Sequence, residues 1–339
     1  MKTGENLALK SFTTFGVAAR AARVVEIDSP ADLARCRFEP ATDLVLGGGS
    51  NVLLAGDIDG TVFLNRIRGM RAVEDRGESV LVEARGGQLW HSLVLWSLRE
   101  GLSGLENLSL IPGLVGAAPM QNIGAYGVEL SEVLERVEAW DWQQGRMVEF
   151  STAECGFAYR DSRFKSRDAG RFFITRIFLR LARHFTPRLD YDELREELGR
   201  SNIAAPDAHQ VSRAVIMLRR RKLPDPTLLG NAGSFFKNPQ VSAAEAESLR
   251  ARFRDLPSFP ANASTVKLSA AWLIEQCGWK GHREGDAGVS DRHALVLVNH
   301  GNASGAEILA LAHRVRDSVL ERTGVRLEPE ARIYPETRT

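Results

Sequence analysis

The chain has 339 residues, 44% of them hydrophobic and 26% charged, with 44 basic against 43 acidic side chains and a formal charge of +1. That composition belongs to a folded protein and not to a disordered one. It also lacks the basic excess with which a nucleic-acid binder neutralises phosphates, so no nucleic-acid partner is expected. The length is large for one hydrophobic core and points to two or three domains.

Cys36, Cys155 and Cys277 stand far apart without a C-x-x-C pair, and the seven histidines show no metal-ligand spacing. No disulfide framework and no metal are expected, which fits a reducing compartment. Residues 1–15 are polar and mixed, unlike a signal peptide, and no run of about 18 apolar residues exists. A cytoplasmic protein without membrane insertion is therefore expected.

In chain order, Ala22–Ile27, Asp43–Leu46 and Thr61–Leu64 read as strands, with Ser29 capping a short helix that has Pro30 at its first position. Val52–Leu64 reads as further strand after the turn Gly47–Asn51. Ser79–Ala84 alternates as a strand, and Leu89, Trp90, Leu93, Val94 and Leu98 give Gly87–Glu100 a helical period. Val133–Trp142 and Arg146–Phe150 form a hairpin pattern around Gln143-Gln144-Gly145, and Phe172–Leu181 is a further strand. The polar stretch from His184 to Gln210 reads as a connection. Val211–Lys222 is helical and stops before Leu223-Pro224-Asp225-Pro226. Helical patterns follow at Ala243–Arg254, Ser269–Cys277 and Ala306–Arg322, with a strand at Ala294–Asn299. The class is α+β or mixed α/β, in at least two parts.

Several segments carry chemistry. Gly47-Gly48-Gly49-Ser50-Asn51 follows a strand, and its glycines allow close backbone approach and an anion nest for a diphosphate. It is not a dinucleotide fingerprint, which wants a third spaced glycine and a long helix. The plainer reading is a tight turn. From Gly101 to Gly127 small residues crowd together, including Pro112, Gly113, Gly116, Ala117, Gly124 and Ala125. Such a stretch cannot build a large-side-chain core. It can let backbone pack against a flat ring system, with the amides of Gln121 and Asn122 suited to a heterocycle edge. A surface loop of that length is uncommon unless it is functional.

Tyr159-Arg160-Asp161-Ser162 suits an anionic ligand, because arginine offers a planar fork to a carboxylate, although by composition alone a solvated turn is the better reading. Gly233 could bring the Ser234 hydroxyl into a site, and turn is again the plainer reading. Glu328 and Glu330 around Pro329 are a catalytic pair or a solvated chain end. The run Arg219–Lys222 is favourable charge at a helix C-terminus or, second, a phosphate-binding edge. Cys155 reads as a buried structural thiol.

These segments in this order resemble the UDP-N-acetylenolpyruvoylglucosamine reductase (MurB) family, from Ser11–Val17 through Gly47–Asn51, Ile111–Gly127, Tyr159–Ser162, Lys222–Pro226 and Gly230–Pro239 to Leu327–Glu330. The resemblance implies an α+β fold: two subdomains of the vanillyl-alcohol-oxidase type gripping FAD, then a C-terminal α+β substrate-binding domain. Residues 1–183 would be the FAD-binding region, in parts of roughly 1–70 and 71–183. Residues 184–213 would be a connection holding the tyrosine loop of the type I branch, 214–325 the substrate domain, and 326–339 a segment returning to the active site.

The implied catalytic residues are Arg160, Ser234 and Glu330. The implied contacts to non-covalent FAD are Gly47, Gly48, Gly49, Ser50, Asn51, Pro112, Gly113, Gly116, Ala117, Gln121, Asn122, Gly124 and Ala125. Tyr191, Lys222 and Asn238 match substrate-contacting positions. Arg163 departs from the family pattern, where an apolar residue is usual. The implied reaction is NADPH-dependent reduction of UDP-N-acetylglucosamine enolpyruvate in peptidoglycan synthesis, by a monomer. An oxidase of the same flavin fold is the first alternative, since it would share the glycine-rich segments but has no reason to carry the Ser234 and Glu330 motifs together. A non-enzymatic nucleotide-binding module is the second.

Overall fold

The apolar runs read as strands do pair. Arg20–Ile27 and Leu44–Leu46 both lie parallel to Ile58–Asn65, with Val24 opposite Val62 and Leu46 opposite Leu64. Lys2–Ala8 adds an edge strand that its polar sequence had not announced. Ser29 and Asp32 form a reciprocal capping box at the start of helix Pro30–Leu33. Leu33 packs with Val25, Ile27 and Phe63 into a small core completed by Phe173.

A second, antiparallel sheet runs in the order Arg146–Ser151, Leu134–Asp141, Phe172–Ala182, Ser79–Arg85 and Met70–Asp75. The expected hairpin around residues 143–145 is present, with Asp141 opposite Arg146. Helix Trp90–Arg99 buries Trp90, Leu93, Val94 and Leu98 against this sheet, which accounts for its 3.6-residue period.

The computed structural model describes residues 1–260, 262 and 264–335 and divides into two units. The first comprises residues 1–7, 21–48 and 58–220, and so holds both of these sheets. The second comprises residues 8–20, 49–57 and 221 onward. Its central antiparallel sheet has the order Gly230–Ser234, Val296–Asn299, Ala287–Val289 and Arg283–Glu284. Helix Gly305–Thr323, capped by Ser304 and ended at Gly324, buries Ile308, Leu311, Val315 and Val319. Strand Arg332–Tyr334 lies parallel to Val52–Leu54, so residues 49–57 belong with the C-terminal part of the chain. A three-stranded sheet of Gln240–Ser242, Thr265–Leu268 and Ser258–Pro260 completes the unit.

Two expectations are corrected. The stretch from His184 to Gln210, read as a connection, contains helix Asp192–Arg200, and the following helix begins at Ala208. Leu194 and Leu198 of the first helix pack on Val211, Val215 and Leu218 of the second, so a two-leucine stripe suffices because the partner helix covers it. Gly230–Ser234, read more plainly as a turn, is a strand held by pairing with Val296–Asn299. Among the described residues no helix is long and apolar enough to cross a membrane.

Candidate active site

Two glycine-rich segments meet in the first unit. A Cβ on Gly48 would lie 2.7 Å from the Cα of Gly113, and one on Gly47 would lie 3.1 Å from the Cβ of Ala117. Only glycine at 48 allows the two backbones to touch. The stretch after Gly113 turns into a 3-10 helix over Val115–Gln121, fastened by Val115 N–H to the Gln88 carbonyl (2.8 Å) and Gly116 N–H to the Gly86 carbonyl (2.8 Å). A wall of backbone and small side chains results, of the kind that a flat ring system and a diphosphate can approach closely. The residues therefore fit FAD. Asn122, almost fully buried at a φ of 45°, donates from its amide to Glu129 (2.6 Å) and accepts from Ser131 N–H (3.0 Å). Its side chain closes the turn, and the backbone around it is what it offers outward.

Against this segment lies Tyr159-Arg160-Asp161-Ser162. Ala158 and Asp161 exchange two backbone hydrogen bonds (3.1 and 3.2 Å), leaving Tyr159 and Arg160 at the tip of a tight hairpin. The Ser162 hydroxyl donates to the Met120 carbonyl at 2.7 Å, and Arg160 Nη2 donates to the Gly124 carbonyl at 2.8 Å. Lys165 Nζ reaches the Arg160 carbonyl at 3.2 Å. Arg160 itself has a φ of 55°, a left-handed conformation that a long side chain seldom adopts. The solvated turn favoured by composition is thus a held one. Arg163 is structural: its Nε pairs with Asp168 at 2.7 Å and its guanidinium covers the Phe150 ring at 4.2 Å.

Sequence reasoning undervalued two further residues of the same unit. Arg219, filed with its neighbours as helix-end charge, has a buried Nε without a hydrogen-bond partner. Burial, and then the positive charge of Arg160, push its guanidinium below the ordinary arginine value, while Tyr126 opposes them. Tyr126 has a φ of 48°, and its phenol is pushed up to about 12, chiefly by burial. Its ring meets that of Tyr191 edge-on, centroids 5.2 Å apart. Burial, then Glu193 and Asp192, raise the Tyr191 phenol in turn. Arg160 and Arg219, each with a buried Nε, beside Tyr126 and the partly exposed Tyr191 make a polar, anion-seeking surface. The available signal was the 3.6-residue period of Val211–Lys222, which puts Arg219 beside the buried Val215 and Leu218.

Ser234 and Glu330 belong to the second unit, where the sheet brings their segments together. Gly233 has a φ of 69°, and pairing with Val296–Asn299 shifts register between Asn231 and Ser234. That bulge needs glycine, and it aims the next side chain away from regular alternation. Phe235 and Phe236 are fully buried beyond it and anchor the strand end. Glu330 N–H donates to the Phe235 carbonyl at 2.7 Å and Lys237 N–H to the Glu328 carbonyl at 2.9 Å. Asn51 Nδ2 donates to the Glu330 carbonyl at 3.3 Å, and Arg332 N–H to the Asn51 carbonyl at 3.0 Å. Ser234, Glu330 and Asn51 therefore share one backbone network, whereas Gly47, Gly48 and Arg160 lie in the other unit. The Asn238 side-chain Oδ1 accepts from Ala270 N–H at 2.9 Å, which leaves its NH₂ as the group to offer a ligand. Lys222 is the last residue of helix Ala208–Lys222.

Fold and site together define an FAD-binding oxidoreductase of α+β architecture, and known proteins agree. The model of an FAD binding domain matches residues 21–151, and that of the UDP-N-acetylenolpyruvoylglucosamine reductase C-terminal domain matches residues 225–334. The reductase of Pseudomonas aeruginosa is 50% identical over 334 residues, covering 97% of this chain and 98% of its own. That of Xylella fastidiosa is 51% identical over 333 residues, covering 97% and 95%. The crystal structure of MurB from Thermus caldophilus superposes with a TM-score of 0.69 at 28% identity, covering 99% of this chain and all of that one. The chain belongs to the UDP-N-acetylenolpyruvoylglucosamine reductase family.

Proposed function

We propose that this chain reduces the enolpyruvyl ether of UDP-N-acetylglucosamine enolpyruvate, with Arg160, Ser234 and Glu330 as its catalytic residues. Bound FAD, held non-covalently by the glycine-rich segments around Gly48 and Gly113, supplies hydride transfer from NADPH. Arg160 offers its fork to the substrate carboxylate, on which negative charge grows as the double bond is reduced. Fixed positive charge at such a position is usually the largest catalytic contribution. The left-handed backbone and the Gly124 carbonyl hold that fork in one orientation.

Ser234 gives its hydroxyl proton to the α-carbon, regains one from solvent, and so fixes the stereochemistry of the lactyl group. Glu330 supplies a hydrogen bond to the enolate-like oxygen, as a neutral carboxyl or through a bridging water. Tyr191, Lys222 and Asn238 contact the sugar nucleotide, with Lys222 and the Asn238 amide suited to its diphosphate. Arg219 adds a buried positive charge to the same anion-binding role. The enzyme acts as a cytoplasmic monomer.

The observation that carries this reading is the joining of the Ser234 and Glu330 segments through the Phe235 carbonyl, which takes Glu330 N–H at 2.7 Å. An oxidase using the same cofactor has no need of that pair. Rapid-mixing experiments on Ser234→Ala test it. Flavin bleaching by NADPH should proceed as in the wild type, while reoxidation by the enolpyruvyl substrate slows by about 10²–10⁴-fold. Equal slowing of both halves would make Ser234 structural.

A further inference from the structure

The short turn Glu106–Leu110 is polar, yet Glu106, Asn107 and Ser109 are all buried. Each of them holds a different part of the first unit. Glu106 accepts from Gly104 N–H at 2.7 Å and so shapes the turn itself. Ser109 Oγ shares a buried hydrogen bond of 2.8 Å with Ser212 Oγ, on the helix that ends in Arg219 and its basic neighbours. Leu110 N–H donates to His91 Nδ1 at 2.9 Å, and the Leu108 carbonyl accepts from the Trp90 indole at 3.0 Å.

Asn107 makes the connection that matters for substrate. Its side chain is fully buried, and its Nδ2 donates to two carbonyls, that of Tyr126 at 2.8 Å and that of Arg188 at 2.9 Å. Both partners are pure acceptors, so the amide nitrogen and not the oxygen must face them. Its Oδ1 is buried with no partner, so no acceptor role explains the residue.

The two carbonyls belong to the chain segments that carry the tyrosine pair. One is that of Tyr126 itself, in its left-handed conformation. The other lies three residues before Tyr191, in a stretch whose Leu189 packs with the helix pair 192–200 and 208–222. Between these anchors the rings of Tyr126 and Tyr191 meet edge-on at 5.2 Å. We infer that Asn107 is a positioning residue for substrate: its carboxamide clamps the Tyr126 turn to the Arg188–Tyr191 segment and so sets the Tyr126–Tyr191 pair. The inference rests on the reading of Tyr191 as a substrate contact and deepens it.

Removing the clamp withdraws one hydrogen bond from each of the two segments that carry the tyrosine pair, without touching the flavin-binding glycines. Asn107→Ala should raise KM for UDP-N-acetylglucosamine enolpyruvate by about tenfold. The rate of flavin reduction by NADPH should stay within about twofold of wild type. A double-mutant cycle with Tyr191→Ala reads the route of the effect. If Asn107 acts through Tyr191, the double variant is no worse than Tyr191→Ala alone; if the two KM increases multiply, the inference is overturned. It is equally overturned if folded, flavin-loaded Asn107→Ala keeps the wild-type KM while Tyr191→Ala loses it.

A wild-type KM in Tyr191→Ala would instead remove the substrate role of Tyr191. Amide hydrogen exchange over residues 188–198 then decides the clamp by itself: faster exchange in Asn107→Ala supports it and unchanged exchange ends it. Should Asn107→Ala fail to fold, Asn107→Ser keeps one donor and carries the same comparisons, with a smaller increase expected.

Discussion

Arg160 combines a left-handed backbone with a guanidinium held on the Gly124 carbonyl. A non-glycine residue in that conformation costs about 1–3 kcal/mol, a strain that persists where function requires it. Arg160→Gly relieves the strain but loses the hydrogen bond, worth about 1 kcal/mol, so Tm should move by only a few degrees. Turnover should fall by about 10²–10³-fold, as when a fixed donor is removed from developing charge. A large drop in Tm with turnover retained would make the residue structural. Gly48 is tested differently. In Gly48→Ala the new methyl meets the Gly113 backbone at 2.7 Å, and overpacking of this kind costs about 1–3 kcal/mol. The variant should purify with less flavin per chain than the wild type; full occupancy at unchanged Tm would show that the two segments do not need their contact. Glycine spacing was legible in the sequence for this reason: no other residue meets the steric demand. The turn at Arg160 and the burial of Arg219 were not, because composition treats an arginine in a charged run as solvated whatever covers it.

At the scale of elements, the hairpin around residues 143–145 hangs on Asp141. This carboxylate is almost fully buried, accepts from Gln143 and Gln144 N–H at 2.8 and 3.1 Å, and pairs with Arg171 at 2.7 Å. Burial alone would raise its pKa, but Arg171 and the two turn amides outweigh that and hold it below the ordinary value of 3.8. A depressed folded-state pKa means stability present above the unfolded value and lost as pH falls through the folded one. Acid unfolding of the wild type should therefore steepen below about pH 4, and Asp141→Asn should flatten that dependence while costing about 3 kcal/mol at neutral pH. Denaturant midpoints measured at pH 7 and pH 3 check both; an equal loss at the two pH values would contradict the ionic role. Trp90–Arg99 was readable because a single buried face dictates its period, and Phe172–Ala182 because burial on both faces makes it a nearly unbroken apolar run. Asp192–Arg200 was hidden because two leucines among charged residues bury a stripe only when Val211–Leu218 lies against it. Gly230–Ser234 was hidden because its pairing partner lies more than sixty residues later.

For the molecule as a whole, the first unit carries the glycine-rich wall, Arg160 and the tyrosine pair, and the second carries Ser234, Glu330 and Asn51. The sequence showed most of these motifs as isolated turns whose plainer readings each prevailed singly; their order along the chain gave the family resemblance. What it could not show was that residues 49–57 join the C-terminal part through the pairing of Val52–Leu54 with Arg332–Tyr334, since nothing local to either strand names the other. Cys155 illustrates the opposite case: a lone cysteine read as structural is fully buried, with its thiol pushed up to about 12 mainly by burial. A buried thiol held neutral in this way is a poor nucleophile, as a structural role requires.

The most direct test is an anaerobic titration of the purified protein, following flavin absorbance. Limiting NADPH is added first and UDP-N-acetylglucosamine enolpyruvate second. Bleaching by NADPH followed by prompt return of the oxidised spectrum on adding the sugar nucleotide is the expected result. Bleaching that persists after that addition would contradict the proposed reaction and, with it, the roles given to Arg160, Ser234 and Glu330.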